Sequence, residues 1–179
     1  MTYTGLTSFI HELDKQGELI RVKTFVDPVL EIAEVTDRIS KRGGKALLFE
    51  NTGTQFPVLT NAYGSALRLK LALGNKNPED HAQRIGSIFS FDGLNSGSIL
   101  KKLSALPSLA RLAGYLPIRT KQRGMCQQVI HTNPDIGILP VLKCWPHDGG
   151  RFITLPVVHT CHPETGSVNA GMYRMQILD

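Results

Sequence analysis

The chain has 179 residues, of which 41% are hydrophobic and 20% are charged, and its formal net charge at pH 7 is +5. This length holds one ordinary domain, or a small domain and part of a second, and the composition is typical of a soluble globular protein. No apolar run is long enough for a membrane helix, and the N-terminus lacks the features of a signal peptide. The three cysteines are widely spaced and odd in number, which disfavours a disulfide framework. The sequence therefore predicts a cytoplasmic protein.

The first part of the chain predicts a helix, a strand and a second helix. The first helix is marked by apolar residues at helical spacing, namely Leu6, Phe9, Ile10 and Leu13. Gly17 can end it, and residues 18–26 then alternate like a half-buried strand. Asp27 and Pro28 predict the start of the second helix, because aspartate is a good N-cap and proline suits the first helical position. The glycine pair at 43–44 predicts its end.

Short apolar runs and helical patterns continue to about residue 89. Residues 46–50 and 57–61 are apolar, are bounded by turn residues and predict two strands. Residues 65–74 and 78–89 have helical character. This alternation of helix and strand predicts a mixed α/β (α+β) N-terminal domain, which we place at residues 1–116.

The pattern becomes β-rich after residue 117. Three extended runs, 125–132, 151–161 and 168–178, are separated by turn residues such as those at 163–166. The last two runs predict a hairpin. Residues 117–179 are therefore expected to be the opening of a second, all-β domain, and a lone hairpin with few neighbours is of marginal stability.

The positive charge is concentrated in one segment. No acidic residue lies between Asp92 and Asp135, and the basic residues of that stretch are Lys101, Lys102, Arg111, Arg119, Lys121 and Arg123. The interleaved leucines of 99–123 favour a solvated helical face or a face against another part of the protein. Peripheral contact with an anionic membrane surface, or with an anionic ligand, is the alternative. Nucleic acid is not expected as a partner, because the segment has one tyrosine and no binding motif.

A zinc site is a disfavoured alternative. Its ligands would come from a C-x-x-H pattern at Cys144 and His147 and an H-x-x-H pattern at His159 and His162. In the strand predicted for this region, His159 and His162 would point to opposite faces, because side chains alternate along a strand. A tetrahedral site needs all its ligands within about 2.3 Å of one metal ion.

The last extended run carries three polar or special residues, Asn169, Gly171 and Arg174. In a regular strand, five steps would place Asn169 about 16 Å from Arg174 and on the opposite face. We therefore expect an irregularity near Gly171, since glycine within a strand often marks a bulge. A neutral asparagine oxygen is a legitimate ligand for a hard cation, and arginine offers a planar charged fork for a carboxylate. Taken alone, these residues are better explained as a strand with a solvated arginine.

Eight segments spread over the whole chain carry a resemblance to a known family. They are QGELIRV, VDPVLEIAEVTDR, GGKALLFEN, PVLTNAYG, CQQ, CWP, FIT and NAGMYR. In order and approximate spacing they resemble the UbiD family of decarboxylases. In that family an N-terminal α/β domain leads into a flavin-binding split β-barrel, and a C-terminal α/β domain follows. The resemblance implies that residues 1–116 are the first domain and 117–179 the opening strands of the barrel, so we expect a truncated family member.

The resemblance also implies site residues and cofactors. The family pattern Asn-x-Gly-x-x-Arg is matched by Asn169, Gly171 and Arg174. Asn169 is implied to bind a divalent cation, Mn2+ with K+ as a further candidate, that bridges to the flavin phosphate. Met172, Tyr173 and Arg174 are implied to line prenylated FMN. The glutamate that donates the proton in that family lies beyond residue 179, so Arg174 is the one supporting catalytic residue expected here.

The implied function is non-oxidative decarboxylation of aromatic acids of the 4-hydroxybenzoate type, or of α,β-unsaturated acids. Such a carboxy-lyase serves quinone biosynthesis or aromatic acid metabolism, acts on a small molecule and is expected to be a homo-oligomer. The isolated chain is expected to be inactive, because no residue matches the proton donor. Two alternatives stay open, a flavin-binding module and a non-enzymatic interaction domain.

Overall fold

A computed structural model describes residues 3–89, 114 and 121–178. The chain divides into two compact units, one formed by Met1–Ala72 with Asp135–Asp179 and the other by Leu73–Pro134. The domain boundary expected between residues 116 and 117 lies outside the described residues. Most of the basic segment 99–123 also lies outside them.

The N-terminal part of the first unit is a three-stranded sheet with helices. Its strands are β1 (Leu19–Phe25), β2 (Ala46–Asn51) and β3 (Val58–Thr60), and its helices are α1 (Leu6–Lys15), α2 (Glu31–Lys41) and α3 (Ala66–Ala72). Strand β2 lies in the centre, parallel to β1 and antiparallel to β3. The mixed α/β class predicted from the alternating sequence patterns is confirmed in this part of the chain.

Strand β2 is buried on both faces, which explains its continuous apolar sequence. One cluster consists of buried residues from α1, β1, β2 and α3, namely Phe9, Leu13, Leu19, Ala46, Leu48 and Leu71. The other cluster joins Ile32 of α2 to Leu47 and Phe49 of β2, with Leu142 packed against it. Because adjacent strand residues point to opposite faces, the two clusters lie on the two sides of the sheet. The second cluster ties the later segment around Leu142 to the N-terminal core.

The second helix begins later than the sequence predicts. Asp27 and Pro28 precede an irregular stretch, and α2 starts at Glu31. The backbone of this stretch is recruited by a distant segment, because the Leu30 N–H donates to the Lys143 carbonyl at 2.9 Å and the Lys143 N–H donates to Pro28 at 3.2 Å. Leu30 adopts a positive φ of 72° to make this connection. Long-range pairing therefore overrides the local capping signal, and the prediction of a helix start at Asp27 is wrong.

The later part of the first unit forms two small antiparallel sheets. Strands β4 (Phe152–Ile153) and β7 (Met175–Gln176) pair with each other, and β5 (Val157–Cys161) pairs with β6 (Val168–Met172). The predicted hairpin is confirmed as β5–β6, and Gly166 in its turn has φ 68°. The run 151–161 is not one strand, because it divides into β4 and β5.

The second unit contains α4 (Pro78–Phe89) and a short 3-10 helix, Met125–Gln127. The expected extended run at 125–132 is therefore wrong. The side chains of Val129 and Ile130 are 73% and 65% exposed, so their apolar character does not reflect a buried strand among the described residues. Across residues 3–89, 114 and 121–178, no helix combines the length and the apolar character that crossing a bilayer requires.

Candidate functional site

The residues at 169–174 follow the second strand of the hairpin. Asn169 pairs with Thr160, and Gly171 pairs with Val158, in the register of β5 with β6. Strand β6 ends at Met172, and Tyr173 and Arg174 lie outside any strand before β7 begins. The irregularity expected near Gly171 is thus found two residues later.

Arg174 is held by two contacts from an earlier segment of the chain. Its Nη2 lies 2.6 Å from Oδ2 of Asp148, and its guanidinium carbon lies 3.9 Å from the centre of the Phe152 ring. Stacking on an aromatic ring with one edge paired to a carboxylate leaves arginine few orientations. The motif alone favours a solvated arginine. The Arg174 side chain is indeed 43% exposed, but these two contacts fix its orientation.

Asp148 closes a tight turn that begins at Trp145. The Trp145 N–H donates to Oδ2 of Asp148 at 3.2 Å, and the Asp148 N–H donates to the Trp145 carbonyl at 3.1 Å. The hydrogen bond from Arg174 is the main reason why the pKa of the Asp148 carboxyl is lowered, and the same bond raises the pKa of Arg174. Burial raises the pKa of the neighbouring Cys144 thiol. Asp148 is therefore a carboxylate, and Cys144 a neutral thiol, at neutral pH.

Sequence reasoning did not connect Asp148 to Arg174. The two residues are 26 positions apart, so no local periodicity links them. A weak signal exists, since Asp148 is the single acidic residue between Asp135 and Glu164 and is followed by two glycines.

Two of the predicted flavin-lining residues are exposed apolar or aromatic side chains. Met172 and Tyr173 are 68% and 53% exposed. The Tyr173 ring folds back over Gly171, where an added Cβ would lie 2.5 Å from the ring. Glycine at 171 therefore gives the ring the space to lie against the strand.

Asn169 and Met172 lie on opposite faces of the hairpin. Asn169 shares its face with Gly171, and Met172 shares the other face with Val168 and Ala170, since side chains alternate along β6. Asn169 is exposed. Within the described ranges 3–89, 114 and 121–178, no three His, Cys, Asp or Glu side chains converge on a possible metal position. The described residues include Cys144, His147, His159 and His162, which are the ligands of the alternative zinc site.

Two cavities lie in the first unit near the arginine contact. One, of about 660 Å3, is lined by α2 and by residues of the following segment, Leu142, Cys144, Trp145 and Pro146. The other, of about 650 Å3, has Phe152 in its wall and is also lined by residues 58–64 and 139–142. None of Asn169, Met172, Tyr173 and Arg174 lines either cavity. The predicted site residues therefore form a surface in the described part of the chain.

Comparison with protein families gives matches to both parts of the chain. The N-terminal domain of 3-octaprenyl-4-hydroxybenzoate carboxy-lyase matches residues 10–89, and its Rift-related domain matches residues 118–179. The chain belongs to the UbiD family. The family resemblance read from the eight sequence segments is confirmed.

Individual relatives of this UbiD-family chain are longer proteins. An uncharacterised protein of Aquifex aeolicus is 46% identical over 180 residues, which cover 99% of this chain and 37% of that protein. The closed form of vanillic acid decarboxylase from Sedimentibacter hydroxybenzoicus matches with a TM-score of 0.72 and 25% identity, over 100% of this chain and 36% of that chain.

A third relative is the UbiD-class enzyme HmfF from Pelotomaculum thermopropionicum. Its structure in complex with FMN matches with a TM-score of 0.64 and 26% identity, over 96% of this chain and 34% of that one. An evolved dimeric form in complex with prFMN matches with the same TM-score of 0.64 and 23% identity, over 97% and 36% of the two chains. This UbiD-family chain thus spans little more than a third of the length of these relatives.

Proposed function

We propose that this chain provides the first domain and part of the flavin-binding surface of a prenylated-FMN-dependent decarboxylase. The observation that carries the proposal is the Asn-x-Gly-x-x-Arg motif at 169–174, in a segment that matches the Rift-related domain and whose arginine is already oriented. The reaction would be non-oxidative loss of CO2 from an aromatic acid of the 4-hydroxybenzoate type or from an α,β-unsaturated acid. Vanillic acid, the substrate named for one relative, belongs to the first class.

The side chains at 172–174 suit a flavin. Met172 and Tyr173 present exposed apolar and aromatic surface next to a fixed guanidinium, and an isoalloxazine ring has both apolar faces and hydrogen-bond acceptors. When bound, prenylated FMN would supply the electron sink of the reaction. The protein residues would bind and orient it, with Arg174 donating hydrogen bonds to its ring oxygens or to a substrate carboxylate.

The described residues do not by themselves complete a cation site. Asn169 offers one neutral oxygen, whereas a hard cation such as Mn2+ takes about six oxygen ligands. Asn169 is therefore proposed as one ligand of a set that includes the flavin phosphate and further groups.

Flavin binding by the 179-residue chain tests the proposal. We expect weak quenching of FMN fluorescence on titration with the protein, and tighter binding when Mn2+ is present. Arg174→Ala should raise the dissociation constant by about tenfold, because it removes a charge-assisted hydrogen bond. Asn169→Ala should abolish the effect of Mn2+ while changing metal-free binding little.

Arg38→Ala is the matched control for these titrations. Arg38 is also an exposed, ion-paired arginine, but its partner is Glu34 on the same helix α2. The Arg38→Ala variant should bind FMN as tightly as the unmodified chain does. Equal affinities for the Arg174 and Arg38 variants would contradict the proposed flavin surface.

We expect the chain to self-associate through the β5–β6 hairpin. Val157, Val168 and Met172 lie on one face of this hairpin and are 62%, 64% and 68% exposed. Exposed apolar surface of this kind, on a sheet that has two strands in the described part of the chain, favours pairing with a second copy. Light scattering after size exclusion should show a mass that rises with protein concentration. A homo-oligomer would fit the evolved dimeric form of one relative.

Serine substitutions separate this hairpin from other apolar surface. Val157→Ser with Val168→Ser should shift the chain toward monomer, whereas Leu6→Ser, at a residue of α1 that is 59% exposed, should not. A chain that is monomeric at every concentration would overturn the prediction.

Contact of the basic segment 99–123 with anionic lipid stays a prediction from sequence.

A further inference from the structure

Arg174 lies outside the regular strands, so its orientation depends on side-chain contacts. Strand β6 ends at Met172 and β7 begins at Met175, which leaves no backbone ladder to fix Arg174. Its guanidinium is bound to Asp148 at 2.6 Å and lies 3.9 Å from the centre of the Phe152 ring. Among the residues that the structure describes, Nη2 is the nitrogen that binds Asp148, so Nη1 and Nε can donate to a ligand.

The Asp148 side chain is also held in place by a contact other than its ion pair with Arg174. Its side chain is 13% exposed, and the oxygen that binds Arg174 also accepts from the Trp145 N–H at 3.2 Å. The chain after it is tied to β7, because the Gln176 amide donates to the Gly149 carbonyl at 3.0 Å and the Ile177 N–H donates to Arg151 at 2.9 Å. Both sides of the ion pair are therefore anchored to the same small sheet.

We propose that Asp148 is a positioning residue for Arg174, holding the guanidinium on the Phe152 ring so that its free N–H groups face the flavin or the substrate carboxylate. The proposal deepens the proposed function and rests on it for the identity of the ligand. The positioning itself depends only on residues of this chain.

The ordinary explanation is that Asp148 serves only to close its own turn. Asp148→Asn distinguishes the two roles, because the amide oxygen of the new side chain can still accept from the Trp145 N–H while the charge that binds Arg174 is lost. Asp135→Asn is the matched control. The Asp135 carboxylate also closes a local turn, accepting from the Gly137 N–H at 2.8 Å.

The first measurement uses NMR on the flavin-free chain. Hydrogen exchange of the Arg174 side-chain N–H groups should accelerate by about tenfold in Asp148→Asn, the loss expected for one charge-assisted hydrogen bond, and should not change in Asp135→Asn. The Asp148 carboxyl should titrate at higher pH in Arg174→Gln than in the unmodified chain, since the hydrogen bond from Arg174 lowers its pKa. Burial raises the pKa of the nearby Cys144 thiol and the charge of Arg174 lowers it, so Arg174→Gln should move that pKa further up, away from the range in which Asp148 titrates.

The second measurement uses FMN affinity. Asp148→Asn should weaken FMN binding nearly as much as Arg174→Ala, and the double variant should bind no more weakly than Arg174→Ala alone. Unchanged hydrogen exchange of the Arg174 side chain in Asp148→Asn would overturn the positioning role. So would a loss of FMN affinity on Asp148→Asn that is equally large in the unmodified chain and in Arg174→Ala. If the unmodified chain binds no FMN, the proposed function fails while the NMR comparison still decides the role of Asp148.

Discussion

Replacing Glu18 with glutamine should lower the free energy of unfolding by about 3 kcal/mol, because it removes the counter-ion of a buried arginine. Arg68 of α3 is 1% exposed, and its Nη1 lies 2.6 Å from Oε2 of Glu18. Its Nη2 donates to the Gly44 carbonyl at 3.0 Å, and its Nε has no hydrogen-bond partner among the described residues. With one nitrogen already unsatisfied, the guanidinium cannot lose its carboxylate without leaving a largely uncompensated charge in the interior.

Three companion variants identify the cause of this loss. Arg68→Met removes the buried positive charge, so Glu18 no longer has a charge to compensate. This variant should cost about 1 kcal/mol, and adding Glu18→Gln to it should cost little more. Glu34→Gln breaks an exposed i,i+4 pair with Arg38 and should change stability by less than about 0.5 kcal/mol. Urea denaturation of the unmodified chain and of the four variants provides the measurement. A Glu18→Gln value as small as that of Glu34→Gln would show that Arg68 is compensated by other means.

The local sequence predicted those elements whose stability comes from their own pattern. Residues 46–50 were recognisable as a buried strand because no polar residue interrupts them, and β2 is indeed covered on both faces. The β5–β6 hairpin was predicted by two extended runs around the turn at 163–166. In these cases, the burial pattern and the turn residues point to the same structure.

Two features that local patterns do not predict, the start of α2 and the partner of Arg174, depend on contacts between distant residues. The helix start expected at Asp27 is displaced because Leu30 pairs with Lys143, and no periodicity near residue 30 contains that information. At the candidate site, Arg174 could be singled out from its motif. Asp148 could not be assigned as its partner, because the turn that brings it there depends on the pairing of β4 with β7.

Phe49→Ala should destabilise the chain by about 4 kcal/mol, the usual cost of removing a fully buried phenylalanine. Phe49 is 0% exposed in β2 and belongs to the cluster against which Leu142 packs. Leu142 in turn accepts a hydrogen bond from the Phe152 N–H at 2.8 Å, and the Phe152 ring supports Arg174. A chain of direct contacts thus joins the N-terminal core to the candidate site, and the substitution should loosen that site as well as the core.

Phe9→Ala is the matched control, because Phe9 is 5% exposed and belongs to the cluster on the other face of the sheet. Both variants should lose similar global stability in urea denaturation. Native-state hydrogen exchange should differ, since the amides of Leu30, Lys143 and Phe152 report local opening of the segment that Phe49 supports. Those amides should lose more protection from exchange in Phe49→Ala than in Phe9→Ala. The N–H groups of the Arg174 side chain should show the same difference. Equal losses in the two variants would mean that the segment opens only with the whole sheet, and that the orientation of Arg174 depends on global stability alone.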